Sequence, residues 1–362
     1  MEIMTSRNSR CFSAYYSARL PFIGKTISLF PGKVDGHWAS FCAGTGLPLS
    51  YSLAAGKVLL KPVNSYLSRK GKMLRSLLSC LVLEAGGKDP SAFAPLVSMM
   101  EIMESDTIMI DDMIDASPSR RGGASAHVLY GCERTMLSSG MFYYGCWNIF
   151  SRDFLPVTPR QERKALEWFV KRHLLTSVGQ TEEIYYRRLR RLLSEKRYFQ
   201  EISSRISVLS FGGPLYLAGL AAGFTDRRLK ILDELGDYSG LAYHLHGDEL
   251  NLFPRSAEWG KEKGDDIISG TMTYILSAAF RKLGRRDSAF LKKCLGRKGL
   301  ERRELEKAIG LIKASGAVEE NRKAVDRLCL RCSELIRALR FPEKYEKLLE
   351  GALGYMAYER KK

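Results

Sequence analysis

The sequence has no apolar run approaching the roughly 18–20 residues that a membrane-spanning helix needs. It also lacks a cysteine framework. Its eight cysteines are scattered without paired spacing, which argues against a disulfide scaffold and makes a reducing, cytoplasmic compartment the default. Cys329 and Cys332 form a lone C-x-x-C. One pair cannot complete a four-ligand zinc site and no nearby histidine supplies the rest, so two buried helix cysteines are the better reading. The interleaved aromatic and basic residues of an RNA-binding module are missing, and strand-like alternation is scarce. Acid is in short supply as well: 57 Lys+Arg stand against 40 Asp+Glu, a formal net charge of +17. Such an excess concentrates anions, and nucleic acid, an anionic membrane surface or phosphorylated small molecules would all fit it. Runs such as Arg187–Arg191 and Arg297–Arg303 read as solvated helix faces.

With 362 residues, 45% of them hydrophobic, the chain can bury a sizeable core. Residues 1–48 stand apart as a basic N-terminal extension carrying Arg7, Arg10, Arg19, Lys25 and Lys33 with few acids. In composition they resemble an organelle-targeting leader, and a loosely ordered extension fits equally well. Residues 49–362 read as a single all-α domain. Apolar positions recur every three or four residues in Leu74–Leu83, Leu96–Ile114, Leu166–Leu175, Ile202–Leu220, Leu229–Leu252 and Val318–Leu339. Glycine and proline punctuate between them, as at Gly86-Gly87, Ser117-Pro118, Gly122-Gly123 and Gly212-Gly213-Pro214.

The most informative segment is Glu101–Asp115, which ends in D-D-x-x-D at Asp111, Asp112 and Asp115. On a helix, Asp111 and Asp115 lie one turn apart on one face, with Asp112 adjoining. Three carboxylates held so closely repel one another unless a cation bridges them. Hard oxygen ligands at this spacing suit Mg2+, which completes its shell with water and substrate phosphates. Soon after come Arg120 and Arg121, whose planar guanidinium groups match phosphate oxygens. Upstream, Lys72 and Arg75 place a second pair of cations near a helix start. The whole reads as a site for diphosphates.

These residues resemble the trans-isoprenyl diphosphate synthase (polyprenyl synthetase) family, which carries G-G-K-x-x-R-P, then D-D-x-x-D followed by R-R-G-x-P-x-x-H-x-x-x-G. Gly71, Lys72 and Arg75 match the first, with Ser76 in place of the proline. Asp111, Asp112, Asp115, Arg120, Arg121, Gly122, His127 and Gly131 match the second. The likeness continues through Gly179-Gln180, with Glu183 where the family usually has Asp, then Gly260-Lys261, Gly264-Asp265-Asp266 and Ser315–Val318 to Arg360. The resemblance implies an isoprenoid-synthase-type helical bundle around a deep apolar cavity, two aspartate-rich motifs facing each other at its mouth, and two or three Mg2+ ions with substrate bound. It also implies a homodimer; apolar products would make peripheral membrane contact sensible. Asp111, Asp112, Asp115, Arg120, Lys261 and Asp248 would serve an allylic diphosphate and its metals. Lys72, Arg75 and Arg121 would serve isopentenyl diphosphate, with Gln180, Arg205 and His244 as further substrate contacts.

The sequence departs from the family in several places. The second aspartate motif, usually F-Q-x-x-D-D-x-x-D, runs from Tyr243 through His244, His246, Gly247, Asp248 and Glu249 to Asn251. Asp248 with Asn251 or Glu249 is left as a reduced metal site. Glu104 stands where the family has a histidine for isopentenyl diphosphate, and repels a diphosphate unless it is protonated or paired with Lys72 or Arg75. Thr271 replaces a family lysine, and Arg205-Ile206 replaces a Lys-Thr pair. Asp106 stands five residues before Asp111, where the family places a side chain that limits product length. Three readings follow: a prenyltransferase condensing an allylic diphosphate with isopentenyl diphosphate, a class I terpene synthase that uses no isopentenyl diphosphate, and a non-catalytic diphosphate-binding subunit.

Overall fold

The protein is described here by a computed structural model, which covers residues 6–28, 49–69, 71–150, 154–189, 194–254, 263–297 and 299–359. In chain order the helices are α1 (Ser6–Ser28), α2 (Leu49–Leu67), α3 (Leu74–Ala85), α4 (Ala94–Ile114), α5 (Ala126–Tyr130), α6 (Cys132–Ile149) and α7 (Pro159–Leu189). They continue with α8 (Glu195–Ile202), α9 (Gly213–Ala221), α10 (Asp226–Leu252), α11 (Asp265–Ser269), α12 (Tyr274–Lys282), α13 (Arg285–Cys294), α14 (Arg302–Ala314), α15 (Ala317–Leu339) and α16 (Glu343–Gly354). The fold is an all-α helical bundle. Among the described residues the only strands are β1 (Ser119–Arg120) and β2 (Gly123–Ala124), paired antiparallel. No helix among them is long and apolar enough to cross a membrane.

The chain divides into two compact units. The first comprises Ser13–Phe169 and Gly213–Leu229. Its core runs through α3, where Leu74 and every residue from Ser76 to Leu83 are buried. A helix covered on nearly all sides needs apolar residues all round rather than on one stripe, and the sequence supplies them. α9, buried at every position but Tyr216, packs against α3, with the Ser79 hydroxyl donating to the Pro214 carbonyl at 3.2 Å. α4 begins with a proline in its first turn, where the missing N–H costs nothing. Its run of buried residues from Leu96 to Met103 carries the chain outward to the acid cluster at its C-terminal end.

The N-terminal segment holds α1, whose Phe12 and Ile23 are buried at 1% and 0% exposure. Tyr15 donates to Glu84 at 3.1 Å and Arg19 pairs with the same carboxylate, fixing that helix on α3. Residues 29–48, and with them Lys33, lie outside the described residues.

The other unit comprises Met1–Phe12, Val170–Gly212 and Lys230–Lys362. Here α15 buries Val318, Asn321, Val325, Leu328, Cys329, Cys332, Leu335, Ile336 and Leu339, a helical stripe of the kind the sequence shows. Both cysteines of the C-x-x-C are inside it, and burial pushes the Cys329 thiol up to about 12, which leaves it an inert core group.

The apolar period over Ile202–Leu220, punctuated at Gly212-Gly213-Pro214, is carried by the end of α8, a π-helical stretch at Ser203–Gly212, and α9. Two close approaches accompany the widened turns. A Cβ at Gly179 would lie 3.1 Å from the Arg205 nitrogen, and one at Gly236 would lie 2.5 Å from the Gly212 Cα. Gly236→Ala therefore overpacks backbone against backbone and is expected to lower unfolding stability by roughly 1–3 kcal/mol. Gly310→Ala, with nothing near its added methyl, should instead raise stability by up to about 1 kcal/mol. Urea titration of the two variants checks both, and equal effects would contradict this packing.

Candidate active site

The acid cluster sits in the last turn of α4, where the helix dipole presents its negative end and disfavours carboxylates. Cations must therefore hold it. Asp112 is fully buried. Its Oδ1 accepts from Arg120 Nε at 2.8 Å and from Arg120 Nη2. Its Oδ2 accepts from the Tyr66 hydroxyl at 2.5 Å and from Ser125 at 3.5 Å. Tyr66 is buried too, and its oxygen accepts the Ala126 N–H at 3.2 Å. Burial, joined by the bond to Asp112, pushes the Tyr66 phenol up. Burial acts to lower the Arg120 pKa, but Asp112 and Asp111 outweigh it and the net shift is upward. Arg120 is a permanent cation.

The aspartate triplet is thus split. Asp112 points inward, whereas the Asp111 side chain keeps 36% exposure at 3.9 Å from Arg120 Nη2, and Asp115 is exposed one turn further on. Among the described residues no group of three or more His, Cys, Asp or Glu converges on a metal position. Mg2+ does not need one, since it is usually held by one or two carboxylates, with waters and substrate phosphates completing its octahedron. Asp111 and Asp115 would supply that pair, so the donor set fits.

Arg120 and Arg121 lie on a two-residue hairpin. Arg121 and Gly122 both have positive φ, 50° and 74°, as a type I′ turn requires. For arginine that conformation is strained by about 1–2 kcal/mol, and the surroundings hold it. Arg121 Nη1 donates to the Tyr66 carbonyl at 3.2 Å, and Arg69 Nη1 donates to the Arg120 carbonyl at 2.9 Å. Gly71 lets the Arg121 guanidinium approach, since a Cβ there would lie 3.2 Å from Arg121 Cζ. The structure thus brings the Gly71-Lys72 loop against the arginine hairpin.

Arg75 Nη2 pairs with Glu104 Oε1 at 2.6 Å, with side chains 15% and 13% exposed. The pairing anticipated for Glu104 is therefore made with Arg75. One turn earlier, Glu101 is buried and accepts the Ser76 N–H at 3.2 Å. Burial pushes its carboxyl up, with Arg75 opposing.

The second motif lies near the end of α10, in the other unit. Asp248 is 5% exposed. Its Oδ2 accepts from Tyr198 at 2.8 Å, and its Oδ1 stands 3.5 Å from His244 Nε2. Burial pushes the Asp248 carboxyl up, and the Asp266 charge adds to this. Glu249 takes a forked pair from Arg322, with Nη2 at 2.7 Å and Nε at 3.1 Å. Asn251 Oδ1 accepts the Asp266 N–H at 3.3 Å. Each polar group offered as a metal ligand here has a partner within the protein. Nearby in the chain fold, Arg205 pairs with Glu201 at 2.8 Å, and Glu183 with Arg187 at 3.5 Å. The buried Gln180 Nε2 has no hydrogen-bond partner among the described residues. Lys261 and Gly260 lie outside the described residues.

Sequence reading missed Tyr66, Arg69, Tyr198 and Arg322. Tyr66 and Arg69 sit three apart at a helix end, which marks a shared face but not what that face meets.

Asp106 is buried at 2% exposure, and its Oδ1 has no hydrogen-bond partner among the described residues. Burial raises its pKa from 3.8 to about 8, opposed only by a hydrogen bond from Ser139. It is a neutral acid at pH 7. Between about pH 4 and 8 the unfolded chain releases this proton while the folded chain keeps it, so stability falls as pH rises through that window. Asp106→Asn should melt higher than the parent by a margin that grows from pH 5 to pH 8. A margin constant with pH would contradict the assignment.

The polyprenyl synthetase profile matches residues 56–312. The chain is 25% identical over 296 residues to octaprenyl diphosphate synthase of Escherichia coli (strain K12), covering 81% of this chain and 88% of that one. Its fold superposes on the crystal structure of geranylgeranyl pyrophosphate synthetase from Pyrococcus horikoshii Ot3 with a TM-score of 0.82 at 20% identity, covering 98% and 100% of the two chains. It also matches geranylgeranyl pyrophosphate synthase from Corynebacterium glutamicum, solved with isoprenyl diphosphate and magnesium, with a TM-score of 0.76, 18% identity and 99% coverage of each chain. A profile match over most of the chain, on residues that include the acid cluster, the arginine hairpin and the Lys72 loop, settles the family: this chain belongs to the polyprenyl synthetases.

Proposed function

We propose that this chain is a Mg2+-dependent trans-prenyltransferase that condenses an allylic prenyl diphosphate with isopentenyl diphosphate. The observation that carries this is the split acid cluster, with Asp111 and Asp115 outward beside an Arg120 that Asp112 locks in place. Asp111 and Asp115 would hold Mg2+, which when bound neutralises charge developing on the leaving diphosphate. Arg120 supplies fixed, already oriented donors to the same oxygens, so little reorganisation is needed as the carbon–oxygen bond breaks. Lys72, Arg75 and Arg121 receive the second diphosphate. The isopentenyl double bond then attacks the allylic cation, a new carbon–carbon bond forms, and loss of one proton restores neutrality.

A second reading, a class I terpene synthase, draws support from α10, where Asp248, Glu249 and Asn251 are engaged within the protein. Purified protein with Mg2+ and geranyl, farnesyl or geranylgeranyl diphosphate separates the two. A longer diphosphate formed only when isopentenyl diphosphate is added is the expected result. Hydrocarbon or alcohol formed from the allylic substrate alone would replace condensation with the second reading.

The enzyme is further proposed to be a homodimer. Support comes from α7, where Leu166, Val170, Leu174 and Val178 recur every four residues and Tyr185 and Leu189 follow, all between 41% and 64% exposed. A stripe this long is costly in water. Light scattering reads it: a parent protein no heavier than Leu174→Glu would refute the dimer. Peripheral contact with anionic membranes is the reading of the exposed Arg285, Arg286, Lys292, Lys293 and Arg303 on α13 and α14, and vesicle sedimentation without binding would remove it.

A further inference from the structure

We propose that Tyr16, on the N-terminal helix, is a positioning residue for the second-diphosphate pocket, acting through the backbone of Lys72. The inference rests on the reading of Lys72 as a diphosphate ligand and extends it to a residue outside the family's motifs. The Tyr16 hydroxyl donates to the Lys72 carbonyl at 2.8 Å. The next residue, Met73, is in the left-handed region at φ 49°, ψ 29°, and caps α3 without a side-chain hydrogen bond. Its carbonyl already accepts the Leu77 N–H at 3.1 Å, so the loop passes from a strained residue straight into the helix that carries Arg75.

A left-handed conformation is strained for a residue with a Cβ. Rotating the Lys72–Met73 peptide would relieve that strain and displace the loop whose Gly71 packs against the Arg121 guanidinium. A donor fixed on the Lys72 carbonyl opposes the rotation. Tyr16 is itself fixed, because its neighbours Tyr15 and Arg19 both engage Glu84 at the far end of α3. The hydroxyl is thus held between a docked helix and the peptide that joins Lys72 to the residue capping α3.

The test is full-length Tyr16→Phe, which removes one oxygen and keeps the half-buried ring. The KM for isopentenyl diphosphate should rise roughly fivefold, the equivalent of one net hydrogen bond. The kcat, the allylic KM and the melting temperature should stay near parental values. Calorimetric affinity for inorganic pyrophosphate without Mg2+ should fall by the same factor. In a Lys72→Ala background the Tyr16→Phe substitution should change nothing more, because the effect passes through Lys72.

An unchanged KM and pyrophosphate affinity would overturn the proposal. So would an equal additional loss in the Lys72→Ala background, a matching rise in the allylic KM with a lowered melting temperature, or no pyrophosphate binding by the parent. If the parent makes no elongated product yet the pyrophosphate cycle behaves as expected, condensation fails and the role of Tyr16 stands.

Discussion

The buried pair between Asp112 and Arg120 is the constraint on which the rest of the site depends. A fully buried carboxylate is tolerated only when ionic and hydrogen-bond partners replace its water, and Asp112 has Arg120, Tyr66 and Ser125. Each partner comes from a different local structure: a hairpin strand, the end of α2 and the start of α5. Satisfying one carboxylate therefore fixes three chain segments around the end of α4. Asp111 and Asp115, one turn apart from each other, keep the more exposed side of that helix end.

The same device recurs elsewhere in the chain. Arg75 is held by Glu104, and Arg205 by Glu201. A guanidinium kept near an internal carboxylate is ordered before substrate arrives, at the cost of some of its attraction for an incoming anion. Glu104 thus acts less as an intruder in the pocket than as the counterion of Arg75. The second motif goes further. Asp248, Glu249 and Asn251 are turned to Tyr198, Arg322 and the Asp266 backbone, whereas Asp111 and Asp115 keep exposed oxygens.

Much of this was legible in the sequence wherever spacing alone decides the geometry. The apolar periods mark α3, α4, α10 and α15, and D-D-x-x-D after an apolar run places the acids at a helix end. The split of the triplet was not legible, because it depends on Tyr66, 46 positions away along the chain. The arginine hairpin was hidden as well, since its turn puts Arg121 where glycine or asparagine is usual, and only tertiary contacts justify that strain. Composition alone marked residues 1–48 as set apart. The apolar contacts of Phe12 and Ile23 that dock α1 are too sparse to give a period, and Pro21 interrupts the helical pattern.

The division of labour inside the acid cluster can be measured as the Mg2+ concentration for half-maximal condensation in Asp111→Asn, Asp112→Asn and Asp115→Asn. If Asp111 and Asp115 hold the metal, their variants should require roughly tenfold more Mg2+ or beyond, a loss of one ligand worth about 1.4 kcal/mol or more. Asp112→Asn should keep a near-parental Mg2+ requirement while losing kcat and thermal stability, because it releases Arg120. A Mg2+ requirement raised as far by Asp112→Asn as by Asp111→Asn would contradict the separation of metal ligand from arginine anchor.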